Sequence, residues 1–225
     1  MKPLARLKNQ STLKCPRLIV RLLGLIVLAG LWLAPAFAQE NTECLGCHSD
    51  KSLEGTRKGK KFSVFVDEKK FGQSMHASLT CVSCHADLTG KELPHAEGLQ
   101  KVECGTCHSS EQELHTKSLH GKAIARGDAL APHCNDCHGN HNILSSKDQR
   151  SPISPLQIPF LCGKCHQEGS LVTAQRTIHQ DHILENFSES IHGQALFQKG
   201  LIVAPNCASC HTPHSILPHT DPASS

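Results

Sequence analysis

Apolar positions fall into one long run and many short patches. The run, Leu18 to Leu33, contains the single charge Arg21. It follows a stretch with Lys2, Arg6, Lys8, Lys14 and Arg17 and no acid, and it leads into Ala36-Phe37-Ala38. A basic start, an apolar middle and a small-x-small site predict a cleaved secretory signal peptide over 1–38, with Gln39 opening the mature chain. A retained inner-membrane anchor is the alternative, because the run is nearly long enough to span a bilayer. Further on, Phe62, Val64 and Val66 alternate in KKFSVFVDEKKF, the period of a short strand or hairpin. Short helices are expected around 110–126 and 174–199. A six-residue unit occurs three times, FGQSMH at 71–76, HTKSLH at 115–120 and FSESIH at 187–192. Its serines, Ser74, Ser118 and Ser190, suit an N-cap, which would place His76, His120 and His192 in a first helical turn. Residues 145–159, with three prolines and four serines, read as an extended linker.

Charge narrows the partners. Six of the 23 basic residues lie in 1–38 without an acid, so the mature chain sets 17 against 20 acids, a balance of −3. A nucleic-acid partner loses its main support. The basic run Arg57 to Lys61, with Lys69 and Lys70 behind it, reads first as a solvated face and second as a docking patch.

Composition points to an unusual interior. The mature 187 residues hold six Phe and neither Tyr nor Trp, too few large side chains for an ordinary core. Of thirteen cysteines, Cys15 lies in the signal segment. The other twelve form six C-x-x-C pairs, each followed by histidine: Cys44-Cys47-His48, Cys81-Cys84-His85, Cys104-Cys107-His108, Cys134-Cys137-His138, Cys162-Cys165-His166 and Cys207-Cys210-His211. C-x-x-C-H is the signal for c-type haem attachment: two thiols add to the porphyrin vinyl groups and the next residue offers its imidazole to the iron. Disulfides need no histidine after each pair. Zinc ribbons use two pairs per metal and no fixed trailing histidine. Six covalent haems c are therefore expected.

Seventeen histidines are present, and the six in the motifs leave eleven. Methionine could fill the far side of an iron, but the mature chain has only Met75. Bis-histidine ligation is the economical assignment. Each S-x-H unit lies between two motifs, so the chain parses into three di-haem modules, 39–98, 99–150 and 151–225. The candidate far-side ligands are His76, His120 and His192, together with the trailing histidines His95, His141 and His214. His115, His133, His179, His182 and His219 remain competitors.

On the six motifs and the S-x-H-G and C-H-G-x-H elements, the chain over 44–217 resembles the periplasmic multihaem c-type cytochromes, a group related in pattern to cytochrome c3, cytochrome c7 and the NapC/NirT-like proteins. The resemblance implies a mainly α fold with much irregular structure and little sheet, and bis-histidine haems that transfer electrons without a substrate of their own. Implied partners are redox proteins, such as a membrane cytochrome b or quinol-oxidising complex and a terminal reductase. The periplasm is the implied location. Two alternatives stand beside it: a membrane-anchored quinol dehydrogenase, and a multihaem oxidoreductase of the nitrite or hydroxylamine type. The first module departs from the other two, having Ala77 where they have Gly and lacking C-H-x-x-H, so His95 is its loosest assignment.

Overall fold

The computed structural model describes residues 39–225 apart from Lys58, residues 177–180, His219 and Ser225. The expected signal segment thus lies outside the described residues, as do His179 and His219. Among the described residues, the elements are one hairpin and helices of at most nine residues joined by turns. No described helix is long and apolar enough to cross a membrane.

The first motif lies on α1 (Asn41–His48). The expected hairpin follows, β1 (Glu54–Arg57) antiparallel to β2 (Lys60–Ser63), with Gly55 opposite Phe62 and Thr56 opposite Lys61. Its strands end earlier than the alternation suggests. Val64 and Val66 lie beyond β2, where the Val64 amide still donates to the Leu53 carbonyl at 3.2 Å and the Val66 amide donates to the His48 carbonyl at 2.7 Å, so this segment runs from the hairpin onto α1. The helix α2 (Glu68–Gly72) is capped by the Asp67 carboxylate, which accepts from Lys70 N–H, and α3 (Cys81–Cys84) carries the second motif.

Around 110–126 the chain forms the expected short helices, α4 (Ser109–Lys117) and α5 (Leu119–Ala125), with a corner at Ser118. After α6 (Cys134–His138) come α7 (Ile158–His166) and α8 (Leu171–Gln175), followed by α9 (Ile183–Glu189) and α10 (Ile191–Phe197) with a second corner at Ser190; α11 (Cys207–His211) carries the last motif. The two corners share one construction. Ser118 Oγ accepts from Gly121 N–H and donates to the His115 carbonyl, and Ser190 does the same with Gly193 and Phe187. The glycine is required. A Cβ at Gly121 would stand 2.0 Å from the His115 carbonyl oxygen, and one at Gly193 would stand 2.1 Å from that of Phe187. Residue 77 is Ala, which brings the Cβ that such a corner excludes, and no helix follows Ser74: residues 74–79 are bends and turns, and Ser74 Oγ accepts only from His76 N–H at 3.1 Å.

Residues 145–157 are also not extended. They fold into successive turns with Ser151 and Ser154 buried, held by Ser151 Oγ to the Leu144 carbonyl and by Gln157 and Ile158 N–H to the Ser154 carbonyl. The prolines suit this conformation, since Pro159 closes it inside the first turn of α7, where a missing N–H costs nothing.

Apolar packing is thin. Among the described residues, Leu196, Ala204 and Pro159 are the buried apolar side chains, while Met75, Leu114, Phe160 and Ile191 are among the large ones left exposed. Phe197 packs against Phe160 with ring centres 5.3 Å apart and planes tilted by 37°, and meets Phe187 edge-on at 6.0 Å, tying α10 to α7 and α9. Protein atoms alone make a small core, so these helices act mainly as a scaffold that positions side chains.

Candidate metal centres

Each motif occupies about one helical turn, which brings cysteines three apart to the same side and points the next residue beyond them. Local caps fix two of these turns. The His133 amide donates to Asp136 at the start of α6, and at α11 Asn206 accepts from Ala208 N–H while Ser209 Oγ accepts from Asn206 N–H. No disulfide joins any two of the twelve described cysteines. Their first members lie together in pairs of consecutive motifs, Cys44 with Cys81, Cys104 with Cys134 and Cys162 with Cys207, each pair hydrogen-bonded. Burial raises the Cys81 thiol to about 11, and the Cys207 hydrogen bond and burial push Cys162 up. Cys84 is close enough to perturb Cys104, as Cys165 is to perturb Cys137, so consecutive pairs are linked in chain order.

The histidines form the main pattern. His48 lies opposite His95 with ring centres 6.0 Å apart and planes 8° from parallel. His108 faces His76 at 6.0 Å, His85 faces His141 at 6.3 Å, His166 faces His120 at 6.1 Å and His138 faces His214 at 6.0 Å. Every pair joins one motif histidine to one candidate far-side histidine. A metal–imidazole bond is about 2 Å and the ring centre lies roughly 1 Å beyond the bonding nitrogen, so two imidazoles on opposite faces of one iron have centres about 6 Å apart. The five pairs fit that spacing. Among the described residues, no group of three or more His, Cys, Asp or Glu side chains could hold a bare metal ion, which leaves a zinc ribbon without its four-ligand cage.

The pairing crosses the segments into which the sequence divides. His76 and His120 each reach forward to the first motif of the following segment, and His141 and His214 reach back to the second motif of the preceding one. His95 alone pairs within its own segment. His211 and His192 take part in no such pair among the described residues, and His192 is exposed. The competitors are engaged differently: His133 lies 3.4 Å from Lys101 Nζ, His182 pairs with Glu168 at 3.2 Å, and His115 approaches the Pro132 backbone.

Matching backbone bonds accompany the two crossings. Met75 N–H donates to the Ile143 carbonyl at 2.8 Å, and Leu119 N–H to that of Ile216 at 2.8 Å. Each acceptor stands two residues after a trailing histidine, His141 or His214. Sequence periodicity could have hinted at this, because N-I-L and S-I-L follow those histidines, but nothing local told which S-x-H unit they meet.

Protonation suits the pairs. Burial, aided by His166, holds His120 down to about 4, and burial also lowers His85, His138, His141 and His166. These rings are neutral at pH 7, the form that ligates metals. The Nδ1 of His48 donates to the Val64 carbonyl at 2.8 Å, which fixes the tautomer and leaves the lone pair on Nε2. His85 Nδ1, by contrast, is a buried nitrogen with no hydrogen-bond partner among the described residues. The donor set, spacing and neutral imidazoles together fit bis-histidine haem.

Among known proteins, the chain is 28% identical over 191 residues to the high-molecular-weight cytochrome c of Nitratidesulfovibrio vulgaris (strain Hildenborough), a match covering 77% of this chain and 32% of that protein. The chain thus spans about a third of the relative it matches. No family model matches, and no solved structure matches.

Proposed function

We propose that the chain is an exported, periplasmic hexahaem c-type cytochrome of three di-haem modules, 39–98, 99–150 and 151–225, which carries electrons along bis-histidine haems between redox proteins. One observation carries it: five pairs of imidazoles, each joining a C-x-x-C-H histidine to a second histidine at 6.0–6.3 Å. The similarity to high-molecular-weight cytochrome c supports the c-type cytochrome class.

When bound, haem c supplies a one-electron iron couple. The protein's part is anchoring, orientation and exclusion of water. The six cysteine pairs would anchor the macrocycles by thioether bonds, and His48, His85, His108, His138, His166 and His211 would be the proximal ligands. His76, His95, His120, His141 and His214 would close the far faces, leaving no room there for a substrate. The Val64 carbonyl orients His48 and makes it a stronger donor. The neighbouring first cysteines of each module would hold its two macrocycles close together, and the Cys84/Cys104 and Cys137/Cys165 approaches would continue the series between modules.

Optical and electron paramagnetic resonance spectra of the oxidised holoprotein test this. They should show predominantly low-spin iron and no thioether-to-iron charge-transfer band, since Met75 is the one methionine after residue 38 and is exposed. A predominantly high-spin spectrum in undamaged protein would contradict the proposal and favour an oxidoreductase with open irons.

A further inference from the structure

We infer that a second copy of this chain docks head to tail on the start of α10, with His192 of one copy entering the first haem centre of the next and the second copy's His95 crossing back to the centre at His211. This rests on the haem reading above.

Two junctions within the chain set the rule. In each, a histidine two residues after a serine goes forward to the next module's first centre, and a trailing histidine comes back to the previous module's second centre. In each, the residue before the forward histidine donates its N–H to an isoleucine carbonyl. The start of α10 is built like that of α5, with the same serine cap and the same glycine corner. Yet no described residue accepts from Ile191 N–H. The Ile191 side chain is 78% exposed, against 39% for Leu119. His192 is exposed, and so are Leu201, Ile202 and Val203, in the segment packed on the end of α10 through Leu201 N–H to the Ala195 carbonyl. This is the face of a junction without its second half.

The opposite end shows the complementary exception. The first centre takes His95 from its own module, on a segment, 91–100, whose residues are exposed except for His95 and Leu99. Under the rule a trailing histidine belongs to the preceding module. Head-to-tail docking removes both exceptions at once, because six centres then draw on six histidines of two classes, His76, His120 and His192 forward and His95, His141 and His214 back. Charge matches as well. Lys60 and Lys61, the latter already paired with Glu54 at 3.0 Å, lie on the hairpin leading to Val64, the partner of His48, while Glu185 and Glu189 lie on α9, which leads into the α10 corner. In the exchange, the iron–His95 bond of the first centre breaks and an iron–His192 bond forms, and the oxidation state of the iron is unchanged.

The test compares holoprotein variants by light scattering and spin state as concentration is raised. In dilute His95→Ala two of the six haems, those at His48 and His211, should be high-spin; as linear oligomers form, the His48 haem should become low-spin while the His211 haem stays high-spin, and added salt should reverse this. The double variant His95→Ala/His192→Ala should stay monomeric with both haems high-spin at every concentration. A spin state of His95→Ala independent of concentration, or a double variant that behaves like the single one, would overturn the inference. Failure of the haem reading would show separately, as an intact mass short of six haems.

Discussion

The corners at Ser118 and Ser190 share S-x-H-G, the same cap and the same close approach of glycine to a carbonyl, yet their histidines have different surroundings. His120 is packed against His166 and held down to about 4, whereas His192 is exposed. The difference lies outside the corners. Residues 214–216 cover the start of α5 through the Leu119–Ile216 hydrogen bond, and no described segment does this for α10. Local sequence therefore builds the corner and aims its histidine, while a segment far along the chain decides what that histidine meets.

The largest contrast should come from the histidines themselves. His120→Ala removes an axial ligand and leaves the thioether links, so one of six haems should turn high-spin or recruit His115. His192→Ala should leave the spectrum of dilute protein unchanged. Equal spectra from the two variants would break the comparison. Next in size are the glycines. Gly121→Ala and Gly193→Ala should each destabilise by about 1–3 kcal/mol, because the added methyl meets a backbone carbonyl that cannot move aside. Thermal unfolding would measure this, and equal losses would show that the two corners are built alike although their histidines are not. Smaller again are the caps. Ser118→Ala and Ser190→Ala should each cost about 1 kcal/mol, read from denaturant midpoints. Ser74→Ala should cost less, because no helix follows it. The smallest effect belongs to the exposed pair of Lys61 and Glu54 on the hairpin, where Lys61→Ala should change stability by no more than about 1 kcal/mol.

What was legible in the sequence follows the same division. C-x-x-C-H is readable because attachment chemistry is local, and the cap and glycine of S-x-H-G announce a helix corner for the same reason. The missing corner at Ser74 was half visible, since Ala77 already marked the first module as different. The far-side partners were not legible. Their residue types could be nominated, but the forward and backward crossings depend on contacts between His76 and His108 or His120 and His166, which no window of the chain contains. The proline- and serine-rich stretch misled for another reason: composition suggested an extended linker, whereas Ser151 and Ser154 use their hydroxyls and backbone to make buried turns. In the hairpin, alternation located the element but overran it, because Val64 and Val66 run on to α1 and bond to His48.

The central claim is that the twelve motif cysteines serve haem and that the paired histidines follow from it. Intact mass spectrometry of the purified protein under denaturing conditions, after expression with c-type maturation machinery, tests it most directly. The chain from Gln39 with six covalently retained haems is the predicted result. A mass without haem, lighter by the hydrogens lost in disulfides between neighbours such as Cys44 and Cys81, would contradict it.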